Sequence, residues 1–200
     1  MSSVANTAGT EHAPRKAIHR ASPLTVGTIV FLASECMFFS GLFATYFTLK
    51  EITTSVWPPD DVHLEVERAL LFTVLLVASS GTMQMAVRAI ARDNKPAFRK
   101  WVAATMILGV LFVTNQLGYE WPEAGFTPSS HAFGSLFFTM TGFNAFHVSC
   151  GILAMAVLLG RSGVKRYGKD DLPAVEVVSY YWHFVDVVWV IMFTVLFFVQ

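Results

Sequence analysis

The sequence predicts an all-α membrane protein of five transmembrane helices, with a cytoplasmic N-terminus and an extracytoplasmic C-terminus. Three observations carry that reading. First, a chain of 200 residues that is 54% hydrophobic and 14% charged, with 18 Phe, contains five apolar runs, each long enough to cross a hydrocarbon core of about 30 Å as a helix. Second, all eight prolines lie outside those runs, as uninterrupted helices require. Third, twelve of the 14 Lys and Arg lie in the N-terminal tail and in the second and fourth loops, leaving only Lys50 and Arg68 for the opposite side. Basic residues in short loops stay in the cytoplasm, so the odd number of spans places the termini on opposite faces. The formal net charge is zero, and nothing in it points to a nucleic-acid partner.

Residues 1–22 are small and polar, with Arg15, Lys16 and Arg20, and read as a flexible cytoplasmic tail. They lack the short apolar segment and cleavage site of a signal peptide. Residues 23–200 form one five-helix transmembrane domain. Its first span, 24–49, opens after Pro23 and carries Gly27, Ser34 and Gly41 at seven-residue intervals, a small-residue seam that lets another helix come close. Glu35 lies beside that seam. The loop that follows holds Trp57-Pro58-Pro59 and five acidic residues. The second span, 69–90, contains a small polar cluster, Ser79 to Thr82, and leads into the basic loop of Arg88, Arg92, Lys95, Arg99 and Lys100. The third span, 101–117, ends in Gln116, Tyr119, Glu120 and Trp121, residues suited to the membrane–water boundary. The fourth, 132–160, contains Asn144 and His147 on one face, and the basic loop of Arg161, Lys165, Arg166 and Lys169 follows. Asp170, Asp171 and Pro173 then mark the start of the fifth span, 174–199. Cys36 and Cys150 fall in apolar runs without metal-ligand or redox spacing and read as small buried hydrophobes.

The last span places Ser179, His183 and Asp186 on one stripe, with Trp182 and Trp189 along its edge. Ionisable groups inside a bilayer are costly and need partners. The plainest partner is internal, a His183–Asp186 hydrogen bond. Counting from the cytoplasmic helix ends, Glu35 lies ~16 Å deep, His147 ~20 Å, His183 ~14 Å and Asp186 ~18 Å. Four ionisable groups from three helices thus share one layer. A metal site would use such a set, but the paired Glu-x-x-His motifs of di-iron bundles are missing, so no metal ligand is assigned. A proton pathway is the second reading. A satisfied network that fixes helix packing is the third, and the residues alone favour it slightly. No Gly-rich phosphate loop and no nucleophile–base pair is found, so no catalytic residue is assigned.

Four stretches carry a resemblance. Tyr181-Trp182-His183-Phe184-Val185-Asp186-Val187-Val188-Trp189 closely resembles the last-helix signature of the cytochrome c oxidase subunit III family. Ser34-Glu35-Cys36-Met37-Phe38-Phe39-Ser40-Gly41 resembles that family's Ser-Glu-x-x-Phe-Phe-x-Gly segment. Trp57-Pro58-Pro59 matches its outer loop, and Thr141-Gly142-Phe143 with His147-Val148 matches its Thr-Gly-Phe-His-x-x-His-Val run. The resemblance spans residues 24–200, in order. Two departures stand out. Members commonly have seven helices, so this chain resembles a short bacterial form lacking the first two. Asn144 stands where the run has its first His, and an amide cannot carry a proton.

The resemblance implies a non-redox subunit of a proton-pumping oxidase in the bacterial plasma membrane. Haem and copper are expected in partner subunits and none in this chain. The implied partners are the haem–copper catalytic subunit I, subunit II and membrane phospholipid, with a cytochrome bc complex as a further neighbour in a supercomplex. The implied roles are to stabilise the catalytic subunit, bind lipid and support proton uptake. Glu35, Asn144, His147, His183 and Asp186 are then buried polar candidates for proton-linked or structural work. Trp57, Trp182 and Trp189 are candidates for lipid or interface contact. A quinol oxidase, or a nitric oxide reductase with an accessory subunit of this kind, would share most of these motifs. A free-standing proton-coupled transporter would need repeats or broken helices that the sequence lacks.

Overall fold

A computed structural model describes residues 23–53, 56–59, 62, 64–163 and 167–199; the tail expected over 1–22 lies outside them. Among the described residues every regular element is helical: α1 (Pro23–Ile52), α2 (Val66–Ala91), α3 (Lys95–Asn115), a π-helical turn (Gln116–Glu120), the single turn α4 (Trp121–Glu123), α5 (Ala132–Ser162), a 3₁₀ turn (Lys169–Asp171) and α6 (Leu172–Phe197). Five rods are long and apolar enough to cross a membrane, with α3, the π turn and α4 counting as one over Lys95–Glu123. The chain is a multi-pass membrane protein.

The third rod is longer than the span expected from hydropathy, because local chemistry extends it at both ends. At its start the Asn94 side chain accepts from Ala97 N (3.1 Å), with Pro96 in the first turn, a cap that suits an orphan donor and a residue without an N–H. At its end the π turn lets polar residues continue the rod, with Glu120 turned inward and accepting from Asn115 Nδ2 (3.3 Å). Arg68 on α2 meets Glu65 (3.3 Å) and Glu123 near this end, over the ring of Tyr119. At the opposite end the Tyr167 ring lies against Phe98, 5.6 Å between centroids, with its hydroxyl buried. Burial, with Asp171 nearby, pushes that phenol above its ordinary pKa and keeps it neutral.

Helices α2, α3, α5 and α6 form a closed ring, α2 against α3 and α6, and α5 against α3 and α6. At its centre stands Trp182, fully buried. Its indole fills a slot between Gly109 of α3 and Gly151 of α5, where an added Cβ would come within 2.7 Å of the ring from either side. Helix α1 stands outside the ring and leans on α5 and α6. Two expectations for α1 are corrected here. Gly27 and Gly41 of its small-residue seam face open space, with nothing within 4 Å of an added Cβ, and Ser34 is exposed, so the seam does not pack this bundle. Cys36 is also exposed and Cys150 only half-buried, because α1 buries just the face of Phe39 and Tyr46.

Candidate functional site

The buried polar residues divide into two sites, because depth along a helix does not fix the direction a side chain takes. The first joins α1 to α5. Glu35 Oε2 lies 3.0 Å from His147 Nε2, and His147 Nδ1 lies 2.7 Å from the Phe143 carbonyl. A carbonyl only accepts, so Nδ1 carries a hydrogen. The Glu35–His147 contact thus joins a carboxyl oxygen to the second ring nitrogen. Phe39 seals one side of the imidazole (5.2 Å between ring centroids) and Tyr181 Oη donates to the His147 carbonyl (2.9 Å). The other side opens on a cleft of about 670 Å³ walled by α1, α5 and α6, including Leu24, Phe31, Phe146, Val178 and Tyr181.

The second site joins α2 to α6. His183 and Asp186 do share a face, but the expected bond between them is replaced by a hydroxyl from another helix. Ser80 Oγ lies 2.7 Å from His183 Nδ1 and also bonds Asp186 Oδ2. A serine carries one hydrogen, so the three groups order each other: when Ser80 donates to the carboxylate, His183 Nδ1–H donates to Ser80. The neighbouring turns continue the seam. Trp182 Nε1 donates to Ser79 Oγ and Trp189 Nε1 to Thr73 Oγ1, both at 2.9 Å. Trp182 and Trp189, candidates for lipid or interface contact, are thus interior residues, since each indole finds its partner inside the bundle. Trp57 is half-buried, with Nε1 donating to Tyr46 Oη (3.2 Å) and its ring edge-on to Tyr46 and Phe133.

Asn144 joins neither site. It is completely buried on α5, and neither end of its amide has a hydrogen-bond partner among the described residues. The residue that spacing alone overlooked is Ser80: it lies about 11 residues, ~16 Å, from the basic end of its helix, the depth of His183 and Asp186.

Among the described residues no three His, Cys, Asp or Glu converge on one point, and both nitrogens of His147 are already engaged.

Comparison with known proteins identifies the family. A family model for cytochrome c oxidase subunit III matches residues 5–200. The chain belongs to the cytochrome c oxidase subunit III family. It is 41% identical to a probable cytochrome c oxidase subunit 3 of Mycobacterium tuberculosis strain H37Rv over the full length of both chains. It is 43% identical to the cytochrome c oxidase subunit 3 of Corynebacterium diphtheriae over 92% of each. The subunit 3 of Thermostichus vulcanus is 35% identical over 86% of this chain and 85% of its own. Membership in the subunit III family makes the chain part of an oxidoreductase and implies association with other oxidase subunits.

Proposed function

We propose that this chain is the non-redox subunit III of a proton-pumping cytochrome c oxidase in a bacterial plasma membrane. In this reading the N-terminus is cytoplasmic, and haem and copper belong to partner subunits, including the catalytic subunit I and subunit II. The chain stabilises the catalytic subunit, holds phospholipid in the cleft beside α1, and supports proton uptake through the Glu35–His147 pair. One observation supports it above the others: a hydrogen-bonded carboxyl–imidazole pair lines an open apolar cleft. The walls offer acyl chains an apolar surface, while the pair can pass a proton between two atoms without changing the net charge held in the bilayer.

The test compares wild type with Glu35→Gln in the assembled oxidase, reconstituted in lipid vesicles. The amide keeps the shape and a hydrogen bond to His147 but cannot release a proton. Proton release per oxygen consumed, or enzyme lifetime over many turnovers, is expected to fall. Identical traces would remove the pair from proton supply and leave it a helix contact. The same membranes decide the wider reading, since a tag on this chain should recover haem-bearing subunits in mild detergent.

A further inference from the structure

The α2–α6 site has a feature that the bundle itself leaves unused. Ser80, His183 and Asp186 line a recess of about 260 Å³ on the outer wall of the ring, rimmed by Val77, Val187, Val190 and Ile191. Each of those four rim residues is exposed. His183 spends Nδ1 on Ser80, and its Nε2 takes no hydrogen bond among the described residues. With Ser80 donating to Asp186, Nδ1 holds the hydrogen of a neutral imidazole, and Nε2 offers a lone pair. That nitrogen lies about 17 Å along α6 from Leu172, close to the middle of a 30 Å hydrocarbon layer.

We infer that this recess is the seat of a transmembrane helix from a different subunit, one that presents a hydrogen-bond donor to His183 Nε2 at mid-membrane depth. The inference rests on the chain being an oxidase subunit. Chemistry eliminates the other occupants. An acyl chain has no donor, and a polar group facing hydrocarbon is left unsatisfied. A lipid headgroup carries donors but sits at the membrane surface, more than ten ångströms away along the helix. A second copy of this chain docked symmetrically would present the same face, whose rim is four aliphatic residues and whose single hydroxyl hydrogen, on Ser80, is already committed. What remains is a helix carrying Ser, Thr, Asn, Gln, Tyr or Trp opposite His183, flanked by apolar side chains that cover the four valine and isoleucine residues. Such polar contacts are a recognised adhesive between membrane helices.

The experiment uses the whole complex in native membranes. A photoreactive benzoylphenylalanine replaces Val187, on the rim, and the complex is irradiated and recovered through a tag on this chain. A light-dependent adduct to another subunit is expected, mapping within one helical turn of a donor side chain. Adducts to lipid alone, or to a second copy of this chain, would overturn the proposal. In parallel, His183→Asn keeps a donor in place of Nδ1 for Ser80 while removing the outward acceptor; His183→Gln can turn its amide oxygen outward as an acceptor in place of Nε2. Haem recovered per tagged chain should fall several-fold in His183→Asn and less in His183→Gln. Equal recovery from His183→Asn and wild type would also overturn it. If His183→Asn fails to accumulate in the membrane, the Val187 crosslink decides alone. Should the wild-type tag recover haem while Val187 labels only lipid, the face is wrong and the subunit assignment stands. Failure of the wild-type tag to recover haem would bring down both.

Discussion

Trp182 touches all four helices of the ring: it sits on α6, donates to Ser79 of α2, and presses its two faces on Gly109 of α3 and Gly151 of α5. Removing it leaves a cavity, while Ser79 keeps its own bond to the Leu76 carbonyl, so Trp182→Ala should cost about 3–5 kcal/mol. Filling the slot from the other side, Gly151→Ala, should cost about 1–3 kcal/mol through overpacking. Thermal unfolding of the detergent-solubilised complex reads both, and a midpoint unmoved by Gly151→Ala would show that the indole has room to shift. Asn144 gives the opposite expectation. Its amide is buried without partners among the described residues, so burial costs free energy that no hydrogen bond returns. Asn144→Leu, of similar volume, should leave the midpoint unchanged or raise it. A clear loss would mean that the amide is engaged in the assembled enzyme.

Between elements, α2 and α6 are joined by bonds that differ in what their loss leaves behind. Thr73→Val keeps the shape beside Trp189 but leaves its buried Nε1 without that acceptor, one unsatisfied group at about 1–3 kcal/mol. Ser80→Ala orphans both His183 and Asp186 and should destabilise by more, about 1–3 kcal/mol for each group left unsatisfied. Equal melting shifts for the two variants would show that the serine bridge adds nothing beyond an ordinary hydrogen bond. The five rods were legible because a run of apolar residues between charged loops has a single reading in a membrane. The His183–Asp186 face was legible because spacing on one helix fixes relative direction. Ser80 was not, since pairing across helices depends on the rotation of each about its own axis, which neither hydropathy nor depth records. The same blindness grouped Glu35 with His183 when its partner is His147 alone. The π turn at Gln116–Glu120 was hidden because its polar residues look like the end of a span and not its continuation.

At the scale of the whole molecule, basic and acidic loops alternate, and the orientation proposed from them has a direct measurement. A reporter fused after Gln200 should be active only outside the cytoplasm; activity inside would reverse the termini and with them the depth of both polar sites. The peripheral position of α1 has a consequence in time. Its packing partners are α5 and α6, and its Glu35–His147 contact spans 112 residues. A ribosome adding about 5–20 residues per second makes α1 wait roughly 5–20 s before α5 has been synthesised. Throughout that interval the first helix stands alone in lipid with a carboxyl group that nothing in the nascent chain can yet accept.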